Sequence, residues 1–389
     1  MSWVPVPPES DFPIENLPFG VVRFPDSRVG VVVRIGDFVL DLASAGIEPY
    51  LCESESINLL MASGKGPEVR RRAGEFLCGT ERGSIYPIDV VECRLPIFVG
   101  DFVDFYSSLH HASNLGRILR PDGDPLYPNW RQLPVGYHGR AGSVVVSETP
   151  VTRPQGLVTH GEERALFAAT SALDFELEVG FVIGSRGTQI PPDHCEHHVF
   201  GAVLLNDWSA RDIQAFENQP LGPHLSKSFA TTISPWVVTL DALAPFLVKA
   251  PEQDPLPEPY LQACRDWALD LSLEVDVNDT CVTKTNFSTM YWTFAQQLTH
   301  MTANGAHVRP GDLFGSGTVS GMSPGEEGSL IEITRNGTAP IALNDGTNRG
   351  YLEDGDEVTM RGACGREFAP RIGFGTCRGR IRGNTQGEG

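Results

Sequence analysis

The chain has 389 residues, 41% hydrophobic and 20% charged, an ordinary globular composition with length for a large core and about two domains. Its formal charge, 30 − 49 = −19, argues against nucleic acid or an anionic membrane as partner, so an anion site must gather Arg and Lys locally. Eight cysteines without a CxxC pair suit free thiols in a reducing cytoplasm better than a disulfide framework or zinc knuckle, and neither a secretory leader nor a membrane-spanning run of about 18 apolar residues is expected.

Gly 41 and Pro 30, interspersed with short β-branched runs, predict a mostly β chain with many turns. VVRF followed by VGVVVRIGDFVLDL reads as a hairpin turning near Ile35-Gly36-Asp37, and residues 57–77 read as helical. A small β-rich domain over 1–97 is the simplest division, with a larger domain over 98–389. The irregular stretch 101–142 supplies Asp104, Tyr106, His110, His111 and Arg120. Adjacent histidines cannot share one helix or strand face, so at most one serves a given site. A single His is more often a hydrogen-bonded structural residue than a base.

Strands are predicted at 143–147, 173–183 and 199–206. The second carries LDFELEV, which alternates Asp174, Glu176 and Glu178 with Phe175, Leu177 and Val179. Alternation sends three carboxylates to one face, about 7 Å apart. Such a face is either solvated or holds a cation that relieves the repulsion. The cluster His194-Cys195-Glu196-His197-His198 follows Pro191-Pro192 and reads as a surface helix turn, with zinc binding the lesser alternative. Next, Asp207 is expected at a helix N-terminus with Ser209 as a possible N-cap. Arg211, Gln214 and Asn218 would share one face of that helix, a composition that is most often just solvated. Lys227 and Thr231 come from a Gly/Pro-bounded loop, and 251–260 is a Pro-rich loop. FGSGTVSG, SLIEITRNG and EVTMRGAC read as short strands separated by turns.

The strings DFVDFYSSLHHASN, PNWRQLPVGYHGRAGSVVVS, LDFELEV, LNDWSARDIQ, SKSFATTISPWVV, AQQLTH, RPGDLFGSGTVSG and RIGFG resemble the fumarylacetoacetate hydrolase family, and the likeness covers nearly the whole chain. The resemblance implies an N-terminal SH3-like β-barrel, a C-terminal β-roll catalytic domain, a homodimer and a divalent cation, magnesium or calcium. It implies hydrolysis of a diketone carbon–carbon bond, the last step of tyrosine and phenylalanine breakdown, on a small dicarboxylate substrate. Position by position, it assigns the metal to Asp104, Glu176, Glu178 and Asp207, with Lys227 and Thr231 at a second, magnesium-type site. His111 matches the base, Glu332 the carboxylate that orients it, and Arg211, Gln214 and Lys227 the oxyanion donors. Tyr106, Arg120, Tyr137, Gln214, Asn218 and Thr318 match substrate contacts, while Asp174 drops out as a neighbour of the site.

Three positions depart from the family pattern. Asn218 stands where Tyr is common, Ala230 replaces Gly in the KSFGT string, and His110 replaces a polar residue beside the base. Asn218 keeps open another diketone or acylpyruvate hydrolase of the same fold. A non-catalytic metal-binding scaffold is the remaining alternative, disfavoured because His111, Glu332, Arg211 and Lys227 occur together.

Overall fold

Val-rich FGVVR and VGVVVRI form β1 (Phe19–Arg23) and β2 (Val29–Ile35), and β2 turns through Gly36-Asp37 into β3 (Phe38–Asp41). The computed structural model describes residues 2–80, 82–159, 164–366 and 369–384. The predicted helical stretch is two helices, α1 (Asn58–Ala62) and α2 (Gly66–Cys78), because Ser63 and Gly64 break it. With β4 (Ile85–Pro87) and β5 (Glu92–Arg94) the strands form an antiparallel sheet of order β4-β3-β2-β1-β5.

The rest of the chain supplies a mixed sheet ordered β7-β6-β14-β9-β10-β11-β8 along its main path. Its strands are β6 (Phe102–Phe105), β7 (Gly136–His138), β8 (Val144–Val146), β9 (Leu177–Ile183), β10 (Val199–Asp207), β11 (Thr231–Ile233) and β14 (Leu313–Gly315). Between them in the chain lie α3 (Leu109–Leu119) and α4 (Arg211–Glu217). A further sheet holds β12 (Ser272–Val277), β13 (Thr280–Asn286), β15 (Glu357–Arg366) and β16 (Ala369–Arg382), joined by Val151–Thr152. Helices α5 (Phe294–Thr302) and α6 (Leu330–Ile333) complete the elements that matter here.

The mixed sheet is apolar on both faces. Val179, Phe181, Ile183, Ala202 and Leu204 enter the larger core, with Leu273, Val275 and Met360 of the further sheet. Phe102, Val182, Val203, Leu205, Ile233 and Leu313 join Phe19, Val21, Val31 and Val33 of the N-terminal unit in a second core. The N-terminal strands therefore share a core with the sheet that follows them, and Phe19 also bridges Val237.

Several expectations change at element ends. LDFELEV is strand at Leu173–Asp174 and again from Leu177, with Glu176 bridged to Ser329 between them. Asp207 is the last residue of β10 rather than a helix N-terminus, because it pairs with Thr231 across β11. Thr231 is thus a strand residue, not a loop residue. Ser209 is no N-cap. It lies in the two-residue strand Ser209–Ala210, its hydroxyl donates to Asp207 O at 3.0 Å, and Ala210 precedes the helix. Of FGSGTVSG only its first two residues, the end of β14 (Leu313–Gly315), are strand, and SLIEI forms α6 rather than a strand. His194 to His197 lie in a 3-10 turn, Pro192–His197, with Cys195 buried.

Candidate active site

Asp104 on β6, Glu178 on β9 and Asp207 at the end of β10 reach the same sheet face, and Glu176 joins them from the break before β9. One oxygen of each of these four buried carboxylates lies within 4.8 Å of the others, the only such group of ligating side chains among the described residues. The solvated-face reading of LDFELEV is overturned, since Asp174, Glu176 and Glu178 are all buried. Strand β14 lies between β6 and β9, and its Gly315 makes the approach possible. A Cβ there would sit 2.7 Å from Asp104 Oδ1 and 2.9 Å from Glu178 Oε2.

The charges do not balance. Lys227 Nζ pairs with Glu176 and, at 2.7 Å, with Asp207 Oδ2. Arg211 Nη2 lies 2.7 Å from Glu176 Oε1. Four carboxylates face these two cations, a shortfall of two charges (4 − 2). Burial and the neighbouring carboxylates of Asp207 and Asp104 push the carboxyls of Asp104 and Glu178 well above their ordinary range. Burial also works against the Glu176 anion, but Lys227, Arg211 and His111 outweigh it and hold the group down at about 2. Asp104 Oδ1 and Glu178 Oε1 are buried without a hydrogen-bond partner. Unpartnered buried carboxylate oxygens beside a two-charge deficit are what a hard divalent cation satisfies, so the four residues fit such an ion. Lys227, held as an ammonium, offers no lone pair. Only its backbone carbonyl remains for a second cation beside Thr231, whose hydroxyl is 3.4 Å from Asp207 Oδ1.

His111 comes from the first turn of α3, capped by Ser108, whose hydroxyl accepts from His111 N. The imidazole is buried, whereas His110 on the next face is half-buried. His111 Nδ1 lies 2.6 Å from Glu332 Oε2, and Nε2 lies 4.0 Å from Glu176 Oε1. Burial opposes the Glu332 anion, but His111, Ser329 and Asn114 more than offset it and the carboxyl falls below its usual range. An ionised carboxylate only accepts, so His111 donates from Nδ1 and turns the lone pair of Nε2 toward the four carboxylates.

Sequence reasoning missed what holds Glu332. Ser320 and Ser329 hydroxyls donate to Oε2 at 3.0 and 2.7 Å, and Asn114 Nδ2 donates to Oε1 at 3.0 Å. The available signal was spacing, since Asn114 follows His111 by three on one helix and Ser329 precedes Glu332 by three. Asp174 was missed too. It accepts from Arg211 Nε at 2.8 Å and from the amides of Leu330 and Ile331 at 2.7 and 3.0 Å, tying Arg211 to the start of α6.

The remaining expected residues surround this centre unevenly. Tyr137 OH donates to Asp207 Oδ2 at 2.7 Å, and Gln214 Oε1 accepts from Arg211 Nη1 at 3.1 Å. Tyr106 packs edge-on against His111, ring centroids 5.4 Å apart, and burial keeps its phenol protonated. Thr318 is buried with its hydroxyl unpartnered. Arg120 ends α3, donates to Pro125 O at 2.7 Å and lies over the Tyr127 ring at 4.1 Å. Asn218 is exposed at the end of α4, and Ala230 is buried beside Thr231.

Residues 102–382 match the family described as Fumarylacetoacetate (FAA) hydrolase C-terminal. The chain is 44% identical to the fumarylacetoacetase of Arabidopsis thaliana over 414 residues, and 44% identical to that of Homo sapiens over 413 residues, each alignment covering 98% of both proteins. A crystal structure of maleylpyruvate hydrolase from Sphingobium shares the fold, with a TM-score of 0.56 at 17% identity over 94% of this chain and 99% of that one. The match spans the strands that carry the four carboxylates and the helices that carry His111 and Glu332, and the chain belongs to the fumarylacetoacetate hydrolase family.

Proposed function

We propose that the chain hydrolyses the carbon–carbon bond of fumarylacetoacetate to fumarate and acetoacetate, the last step of tyrosine and phenylalanine breakdown. The observation that carries this reading is the Glu332–His111 pair at 2.6 Å, with Nε2 aimed at the buried carboxylate group. Asp104, Glu176, Glu178 and Asp207 would hold a divalent cation, magnesium or calcium, which when bound polarises the diketone and steadies the departing enolate. His111 Nε2 takes a proton from water as the oxygen attacks the fumaryl carbonyl, while Glu332 stabilises the imidazolium. Arg211, Gln214 and Lys227 offer fixed donors to the tetrahedral oxyanion. The carbon–carbon bond then breaks, and the proton held on His111 returns to the carbon of the acetoacetate enolate.

Tyr106, Arg120, Tyr137, Gln214 and Thr318 are assigned to substrate binding, with Asn218 at the rim. A guanidinium at Arg120 suits a carboxylate of the substrate. The exposed Asn218 supports a second reading, another diketone or acylpyruvate hydrolase with a different acyl group. We assign residues 1–97 to an SH3-like module and 98–389 to the catalytic domain of a cytoplasmic homodimer.

Steady-state cleavage of fumarylacetoacetate, followed by loss of diketone ultraviolet absorption, tests the reading. Turnover should cease with a chelator and return with magnesium or calcium. Faster cleavage of an acylpyruvate than of fumarylacetoacetate would transfer the assignment to the second reading. No cleavage of any diketone would end both.

A further inference from the structure

Tyr137 and Lys227, which both bond Asp207 Oδ2, also form part of the wall of a separate pocket of about 160 Å³. The pocket lies between the chain leaving β7 and the loop 223–228, and His138, Arg140 and His224 line its outer part. Among the described residues, none of these three side chains makes a hydrogen bond or ion pair with a neighbour. Most arginines elsewhere in this −19 chain face a carboxylate, as Arg28, Arg153, Arg349 and Arg371 do. Here no carboxylate side chain lines the pocket, so its fixed charge is positive apart from the paired Lys227.

We propose that this pocket receives the second carboxylate of the substrate, with Arg140 as its counter-ion. The inference rests on the hydrolase reading above, which supplies a substrate with a carboxylate at each end. Arg120, at the end of the helix that carries His111, serves one flank, where Tyr106 packs on His111. Tyr137, Lys227 and Arg140 lie on the Asp207 flank. A cavity of about 150 Å³ holds a six-carbon ring, so this pocket accommodates an arm of four or five heavy atoms ending in a carboxylate. That is the size of what projects beyond either reacting carbonyl of fumarylacetoacetate. A planar guanidinium at the mouth binds such a group in bidentate fashion, and His138 and His224 add donors. A dianion would then be fixed at both ends with its diketone over the four carboxylates, and diketones lacking one terminal carboxylate would be discriminated against.

The test compares wild type, Arg140→Gln and Arg140→Lys on the diacid and on its two monomethyl esters. Arg140 is exposed, so neither substitution disturbs a core. Arg140→Gln should raise KM for the diacid about 10- to 100-fold with kcat much less affected, and Arg140→Lys should recover part of the loss. With the ester that blanks the carboxylate of this pocket, wild type and Arg140→Gln should have the same KM, while the other ester should still show the difference. An unchanged KM for the diacid in Arg140→Gln, or an equal rise on all three substrates, overturns the subsite while leaving the hydrolase reading intact. If wild type cleaves none of the three, the reading and the subsite fall together.

Discussion

At the scale of single residues, the neighbouring histidines are separated by the helix itself. His111 is buried against Glu332, and His110 points elsewhere on α3. His111→Ala should lower kcat by about 10²- to 10⁴-fold, the usual contribution of a positioned base, while calorimetric titration shows the divalent ion still binding. His110→Ala should stay within about twofold of wild type, since the exchange leaves the Nδ1 bond intact. Gly315 acts by what it lacks. Gly315→Ala puts a methyl against Asp104 and Glu178, and overpacking of that kind costs about 1–3 kcal/mol. Displaced carboxylates should cut activity by about 100-fold, measured by steady-state kinetics beside a thermal melt. The alternation in LDFELEV made the buried face of Phe175, Leu177 and Val179 legible in the sequence. It was silent about Asp174, because a strand period names a face and not the partner on it. Arg211 and α6, the partners of Asp174, lie 37 and 156 residues downstream.

At the scale of elements, the errors in reading the sequence share one cause, which is long-range pairing overriding a local signal. Asp207 before a helical pattern looks like a helix start, yet its backbone pairs with Thr231 and lengthens β10. SLIEI is a short apolar run with two β-branched isoleucines, which reads as a strand, but it is too short for periodicity to decide. It becomes helix where Asp174 accepts the amides of Leu330 and Ile331. The loop between α4 and β11 is organised by a single carboxylate. Glu217 accepts from the amides of His224, Leu225 and Ser226 and from the Ser226 hydroxyl. Burial alone would raise its carboxyl, but the Ser226 hydroxyl and these amides carry it below the ordinary 4.5. A depressed folded-state value means the contribution is present above about 4.5 and is lost as pH falls below it. Protection factors at His224–Ser226, taken against the intrinsic exchange rate at each pH, should therefore fall once pH drops through the depressed value of Glu217, and Glu217→Gln should show the lower protection already at neutral pH. Protection unchanged in the variant would mean that the loop is held by other contacts. Lys227 follows directly, so the clamp also sets where its ammonium sits.

At the scale of the whole molecule, the acids lie on the same sheet face as the core shared with the N-terminal unit. Phe102 precedes Asp104 by two residues, Leu205 precedes Asp207 by two, and Val182 stands four from Glu178. The change of texture near residue 97 suggests a division there but gives no sign of a core running across it, because apolar runs do not say which unit they pack against. The shared core predicts that calorimetry will record one cooperative unfolding transition rather than two. A resolved earlier transition for the first hundred residues would count against that coupling. The apolar flank also bears on how these carboxylates take up a cation. Kept from water and crowded together, Asp104 and Glu178 have carboxyls pushed well upward, so hydrogen ions compete with a cation for these oxygens. Loading the cation must expel those hydrogen ions. Affinity for magnesium or calcium should therefore rise with pH. Its heat of binding should change between buffers of different ionisation enthalpy, in proportion to the protons released. Identical heats in the two buffers would mean that the carboxylates are already bare. With the proton as competitor, acidification would switch off the site by emptying it.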